Sequence, residues 1–494
     1  MHFADLFQRR LEQGSELPAL ADEHNGTLSN AETAARIDLA RACLSAAGVS
    51  AGDVVAVKLP NRVELIITLF AAWQLGAAVT PVNPSLTRAE VEYQLADCAP
   101  RVLVTNDTEE FGVARLSVND LTAADLTAAD ATPPAPATAG RGDDLALLVY
   151  TSGTTGRPKG VMLTHDNVMA MASSISAAMG SGPDTHSLLI LPLFHVNGIV
   201  VSVLSPLLSG GRTTVAGRFD PRTFFGLIEK YRPTYFSAVP TIYTMLTALP
   251  ADVEPDTSSL QFAICGAAPM PPTVMSAFEN RYGVPIVEGY GLSEATCAST
   301  TNPRNGIRKA GTVGTALPGQ RVGILAPDGS LVTDGSPGEV VIQGPTVMRG
   351  YLNQPEETAK TIVDGWLRTG DVGVLDADGY LTLVDRAKDM IIRGGENIYP
   401  KEIETVLYQH PGVHEAAVVG RPDPVYGQVP VAFVVLKPDS GATAHDMASH
   451  IEAALAKYKR PEILLVETVP KNAVGKIDKP ALRRQLGTAT PSHA

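Results

Sequence analysis

Cysteine is scarce in this chain: four in 494 residues, Cys43, Cys98, Cys265 and Cys297, with no Cys-x-x-Cys pair and no Cys/His metal spacing. That argues against both a disulfide framework and a structural zinc site, and each thiol is expected to be a small buried hydrophobe. Charged residues are few at 18%, and the net charge of -13 disfavours nucleic acid and anionic membranes as partners. Any site for an anion must therefore be built locally. Long apolar runs are missing too. The best stretch, Gly198 to Leu208, is short and contains Pro206, so no integral membrane segment is expected. The opening residues Met1 to Phe7 carry an early acid, Asp5, and lack the basic-then-apolar order of a signal peptide, which makes the cytoplasm the expected location.

Hydrophobic residues make up 45% of the chain, and 494 residues exceed what one hydrophobic core usually supports, so at least two domains are expected. Charge is unevenly spread. From Ile451 to Ala494 there are eight cations against four acids, a net +4 that leaves -17 on the rest. This pattern fits a small cationic domain working with a larger acidic one, although a solvated basic tail reads the same way.

The segment Val55 to Pro84 predicts strand, amphipathic helix and strand, with an apolar stripe over Val63 to Leu75 and a stop at Gly76. Alternating strands and helices continue to about Leu260, the pattern of a layered α/β domain. The repeat Leu121 to Asp125 and Leu126 to Asp130, followed by Pro133, Pro134 and Pro136, is a low-complexity linker. Short strands dominate from Gly335 to Asp385, with a hairpin turn at Asp376 to Gly379 that lacks the spacing of a calcium loop.

The richest segment is Tyr150 to Gly160. Gly153, Gly156 and Gly160 permit close backbone approach, Thr151, Ser152, Thr154 and Thr155 supply hydroxyls, and Lys159 supplies a point charge. These residue types suit a polyphosphate, and the strand expected at Leu145 to Tyr150 places them where open α/β sheets bind ligands. It is not a Walker A loop, because Pro158 precedes Lys159 and Gly160 follows it. ATP is the ligand these features suggest.

Further clusters accompany this loop. His195 stands beside an apolar run from Leu191 to Gly198; taken alone, such a histidine is more often a satisfied core residue. Glu288, Gly289, Tyr290, Gly291, Ser293 and Glu294 combine an aromatic between glycines with a hydroxyl and a carboxylate, suited to a purine, a phosphate and Mg²⁺. Asp371 follows Gly370 at a turn and suits a ribose diol. A strand with Arg393, Gly394 and Gly395 comes after Asp385 to Lys388, and Lys476 lies in a glycine-containing loop.

In this order, and over essentially the whole chain, these segments resemble the adenylate-forming superfamily, which includes acyl-CoA synthetases, adenylation domains of peptide synthetases and beetle luciferases. The resemblance implies an α/β multidomain fold: a large N-terminal layered α/β AMP-binding domain over 1–384, a hinge at 385–388 with Lys388 at the hinge position, and a small mobile C-terminal α+β domain over 389–494. It implies ATP, Mg²⁺ and coenzyme A. It implies an acyl-CoA synthetase working in two half-reactions. In the first, which gives an acyl-adenylate and pyrophosphate from the acid and ATP, Lys476 matches the catalytic lysine, Glu294 holds Mg²⁺, Thr151 to Lys159 hold phosphates, and Gly266, Ala267, Ala268 and Glu288 to Tyr290 form the adenine slot. Asp371 and Arg386 hold the ribose. In the second, Arg393, Gly394 and Gly395 cover a pantetheine tunnel. No enzyme nucleophile is needed, which leaves Cys265 structural.

For the acid, the matching pocket holds His195, Val196, Ile199, Val239, Cys265, Gly289 and Leu292. Malonate synthetases resemble the chain but carry an arginine where Gly289 stands, so a medium-chain fatty or aromatic monocarboxylate is expected. Peptide-synthetase domains keep an aspartate where Ser237 stands, and no carrier domain follows Lys476. A carrier-loading adenylation enzyme, a malonate or oxalate ligase, and a non-catalytic nucleotide sensor remain the alternatives. A monomer or homodimer is expected.

Overall fold

The computed structural model describes residues 2–122, 142–151, 158–268, 270–386, 389–393, 396–438, 440–471 and 477–488. The chain divides into two compact units, Met1–Val322 with Val341–Arg368, and Gly323–Val340 with Thr369–Ala494. The repeat at residues 123–130 and the prolines after it lie outside the described residues. No helix among the described residues is long and apolar enough to cross a membrane.

The first unit is built on two large sheets. One has seven strands in the order Gly350–Tyr351, Lys159–Thr164, Leu145–Thr151, Ala78–Pro81, Val54–Lys58, Val102–Thr105, Arg115–Leu116. Its strands from Leu145 to Leu116 run parallel, and two antiparallel strands, Lys159–Thr164 and Gly350–Tyr351, close the other edge. The second has nine strands and a parallel centre that includes His186–Leu189, Tyr235–Ala238, Phe262–Cys265 and Ile286–Tyr290. Its core packs Phe236, Tyr243, Phe278, Phe224 and Cys265 together. Such aromatic side chains each bury a large apolar area.

The strand, helix and strand expected over Val55 to Pro84 are present, with the helix at Val63–Gln74. That helix is not amphipathic. Every residue from Val63 to Trp73 is buried, and the Trp73 indole donates to the Ala146 carbonyl at 2.9 Å. A helix covered on all sides needs no polar face. The turn after it requires Gly76, whose φ is 74° and where a β-carbon would stand 3.0 Å from the Ala51 β-carbon.

The second unit is α+β. Strands Val413–Asp423 and Gly427–Leu436 pair antiparallel, and alternation sends their side chains to two cores. Ala416, Val418, Ala432 and Val434 face Ile403, Leu407, Met447 and Ile451 on two helices. Ala417, Val419, Val431 and Phe433 face Leu482 of the C-terminal helix. The expected hairpin at Asp376 to Gly379 forms between strands Trp366–Leu375 and Leu381–Arg386, with Gly379 at φ 80° donating to the Asp376 carbonyl at 2.9 Å.

Candidate active site

The segment expected to hold phosphates joins two antiparallel strands whose register pairs Thr151 with Lys159 and Tyr150 with Gly160. Ser152, Gly153, Thr154, Thr155 and Gly156 lie outside the described residues. Both flanks are tied down: the Tyr150 hydroxyl donates to Asp97 at 2.7 Å, and the Tyr93 hydroxyl to the Pro158 carbonyl at 3.1 Å. Lys159 is only 7% exposed, and a cation that buried needs a partner. Its ammonium is hydrogen-bonded to the Glu357 carboxylate and lies 4.9 Å above the Tyr351 ring. The hydrogen bond from Lys159 holds the Glu357 carboxyl below its ordinary range.

The segment Ile286 to Ala298 folds tightly. Strand Ile286–Tyr290 ends at Tyr290, and the next turn, Ser293–Ala295, carries Glu294. Thr296 and Cys297 follow with φ of 60° and 129°, a conformation that L-residues adopt at a cost of order 1–3 kcal/mol and that clusters at functional sites. The Met348 amide donates to the Glu294 carbonyl at 2.8 Å, and the Tyr351 hydroxyl donates to Glu294 Oε1 at 2.9 Å. Burial, and next to it the Glu294 charge, push the Tyr351 hydroxyl pKa up, so it stays a donor. Among the described residues no group of three His, Cys, Asp or Glu side chains could hold a metal. A single half-buried carboxylate fits Mg²⁺, which takes one or two carboxylates and fills its remaining positions with water and substrate phosphates.

Gly266, Ala267 and Ala268 follow the carboxyl end of strand Phe262–Cys265, beside Ile286–Tyr290, where open α/β sheets bind ligands. A β-carbon at Gly266 would approach only the Gly289 carbonyl, at 3.6 Å, and Ala267 holds a φ of 67°. Glu288 is 6% exposed and accepts from the Met270 amide at 3.2 Å, while Tyr290 is 9% exposed.

Around His195 the backbone is clamped by Asn61, whose side chain donates to the Leu191 carbonyl at 3.0 Å and accepts from the Leu193 amide at 2.9 Å. A β-carbon on Gly198 would meet the Pro192 carbonyl at 2.6 Å. The His195 ring lies 4.6 Å from Phe194. Asn197–Leu204 form a π-helix, a rare geometry frequent at functional sites, with Val196 and Ile199 buried. The Ser237 hydroxyl donates to Asn197 Oδ1 at 3.0 Å. Val239 is half-buried against the aromatic core and Leu292 is half-buried. Cys265 is fully buried in that core, and burial pushes its thiol well up, as befits a structural residue rather than a nucleophile.

In the second unit, Asp371 is 6% exposed and stands opposite Arg386 in register. Gly370 takes a φ of 68° and donates to Glu339 at 3.0 Å. The Arg393 guanidinium donates to the Tyr458 carbonyl at 2.7 Å and lies 4.8 Å above the Tyr426 ring. Lys388, Gly394, Gly395 and Lys476 lie outside the described residues. The segment bearing Lys476 is flanked by an antiparallel bridge between Lys471 and Ile477, with Lys471 paired to Glu415 at 3.1 Å and Lys479 to Glu404 at 2.8 Å. Sequence reading missed Tyr351, Glu357, Asn61 and the Asn197–Ser237 pair; Pro355 with Glu357 two residues later is a pattern that marks a helix start and nothing of a site.

Comparison with known proteins bears on the whole chain. The AMP-binding enzyme family model matches residues 7–352, and the AMP-binding enzyme C-terminal domain model matches residues 402–476. A feruloyl-CoA synthase from Amycolatopsis sp is 39% identical over 473 residues, covering 95% of this chain and 96% of the relative. A sulfoacetate–CoA ligase from Cupriavidus necator is 37% identical, covering 88% of each. The crystal structure of ATP-bound MatB from Rhodopseudomonas palustris superimposes with a TM-score of 0.92 at 31% identity, covering 99% of both chains. With the phosphate-loop strands, the Glu294 turn and two matched domains in chain order, the chain belongs to the AMP-binding enzyme family, within the adenylate-forming superfamily, and is an AMP-forming acyl-CoA ligase.

Proposed function

We propose that this ligase activates an apolar monocarboxylic acid, aromatic or medium-chain fatty, with ATP and passes the acyl group to CoA. Gly289 carries the reading: it offers no cation for a second carboxylate, and its matched neighbours Val196, Ile199 and Val239 are apolar. Burying an unpaired anionic group there would be costly. The feruloyl-CoA synthase relative supports the aromatic arm. The sulfoacetate relative acts on an acid with a second anionic group, and Gly289 weighs against that for this chain.

In the first half-reaction a carboxylate oxygen of the acid attacks the α-phosphorus of ATP. The bond to the bridging oxygen breaks and pyrophosphate leaves with its electron pair. Lys476 sits between the two anions and stabilises charge that builds on the α-phosphate. Lys159 and the residues from Thr151 to Gly156 hold the outer phosphates. Gly266 to Ala268 and Glu288 to Tyr290 frame the adenine, and Asp371 and Arg386 accept and donate to the ribose. Mg²⁺ would be held by Glu294 with phosphate oxygens and, when bound, neutralises their charge. In the second half-reaction the CoA sulfur attacks the acyl carbon and AMP leaves, with Arg393, Gly394 and Gly395 along the pantetheine path. Rotation of the C-terminal domain about Lys388 separates the two steps.

The test is pyrophosphate release across linear, aromatic and dicarboxylic acids, with and without CoA. CoA-stimulated release with cinnamate, ferulate, hexanoate or octanoate is expected. Faster turnover of malonate or oxalate overturns the substrate reading, and release indifferent to CoA points to another acceptor.

A further inference from the structure

The strand that begins at Lys159 does not end its work there. It pairs antiparallel with Gly350–Tyr351, Val161 opposite Tyr351, and the Leu352 amide donates to the Gly160 carbonyl at 2.8 Å. This register carries the Tyr351 ring under the Lys159 ammonium and its hydroxyl to Glu294. The Tyr351 amide in turn donates to Thr358 Oγ1 at 2.9 Å, which docks the short helix Pro355–Thr361. That helix buries none of its residues, so core packing does not account for its place. Its fixed polar contacts instead run to Tyr351 and, through Glu357, to Lys159. Tyr351 thus touches both charged groups that the proposed function places on the polyphosphate, and Glu357 touches one of them, Lys159.

We propose that Tyr351 and Glu357 are positioning residues for the nucleotide: Glu357 aims the Lys159 ammonium, and Tyr351 fixes the Glu294 carboxylate. An ammonium has three donors, so one hydrogen bond to Glu357 leaves two for phosphate oxygens. A phenol donating to one carboxylate oxygen leaves the other for a cation. The proposal rests on the nucleotide roles given above to Lys159 and Glu294.

The experiment measures ATP affinity by calorimetry on the full-length protein, with and without Mg²⁺, together with KM for ATP and for the acid. The variants are Glu357→Ala, Glu357→Gln, Tyr351→Phe and Lys159→Ala. Glu357→Ala is expected to weaken ATP binding about tenfold in both conditions, the loss of roughly one charge-assisted hydrogen bond, while KM for the acid stays within about twofold. Glu357→Gln, which keeps an acceptor and the shape, should restore part of that affinity, and it decides the matter where the alanine variant does not fold. Tyr351→Phe should leave Mg²⁺-free ATP affinity unchanged and raise the Mg²⁺ needed for half-saturation about fivefold. Unchanged or tighter ATP binding in both Glu357 variants, with Lys159→Ala weakened, overturns the positioning role alone. Unchanged binding in Lys159→Ala overturns the reading beneath it. Equal losses for ATP and acid mark a merely structural role and also overturn the proposal.

Discussion

A β-carbon placed on Gly291 falls 2.0 Å from the Cys297 carbonyl oxygen and 2.5 Å from the Ala298 α-carbon. The chain doubles back on itself here, and the two positive-φ residues Thr296 and Cys297 complete the fold that presents Glu294. Backbone on both sides cannot yield as a flexible side chain would. Gly291→Ala is therefore expected to destabilise the first unit by about 3 kcal/mol and to abolish pyrophosphate release. Denaturant unfolding followed beside activity checks this; a variant of ordinary stability and turnover would contradict the packing.

Two buried histidines set an acid limit. Burial, then His2, lowers His165 to about 3; burial, then Arg212, lowers His186 to about 4. Both are neutral in the folded chain at pH 5, whereas in the unfolded chain they bind protons near the ordinary value of 6.5. Their contribution to stability is full above that value and drains away as pH falls toward the folded pKa. Each should cost about 2 kcal/mol of unfolding free energy between pH 7 and 5. His165→Phe keeps a ring against Trp73, 5.3 Å away in the parent, and should flatten that slope by one histidine's share. An unchanged slope would show that His165 does not titrate in unfolding.

Much of this architecture is legible in the residues themselves, and the exceptions have physical causes. The hairpin at Asp376 to Gly379 and the strand Leu145–Thr151 follow from turn chemistry and a local apolar run, whereas sequence reading misses the strand Lys159–Thr164 after the loop. The helix Val63–Gln74 reads as amphipathic although it is buried on all sides, because an apolar run carries no mark of what covers its second face. Residues 197–204 form a π-helix, and periodicity cannot separate that from an ordinary buried helix. Glu357 is invisible as a partner of Lys159 because the two are 198 residues apart and their meeting depends on the pairing of an edge strand. Such non-local pairing is set by the whole sheet rather than by any window of sequence.

The proposed preference for an apolar acid rests on a position without a side chain. A β-carbon at Gly289 would stand 3.0 Å from the Thr300 carbonyl, so a substituent there needs a shift of only a few tenths of an ångström. Gly289→Arg would bring a guanidinium that pairs bidentately with a carboxylate. The ratio of kcat/KM for malonate to that for octanoate is expected to rise about tenfold or more, with ATP affinity little altered. A ratio that stays flat in a folded variant would remove Gly289 from the determinants of acid choice.

The proposed division of the two half-reactions between Lys476 and Arg393 can be measured one step at a time. Lys476 is the proposed cation between carboxylate and α-phosphate, a place where charge builds only in the first step. Lys476→Ala should slow acyl-adenylate formation by about a hundredfold or more while a supplied acyl-adenylate is still converted to thioester at near the parent rate. Arg393 should show the reverse. Its guanidinium is held by the Tyr458 carbonyl at 2.7 Å and by the Tyr426 ring. Arg393→Ala should therefore spare pyrophosphate release without CoA and lower the thioester rate about tenfold. Single-turnover assays of each step decide the matter. Equal losses in both steps for either variant would mean that one arrangement of these residues serves the whole reaction, and the division of labour between Lys476 and Arg393 would fall.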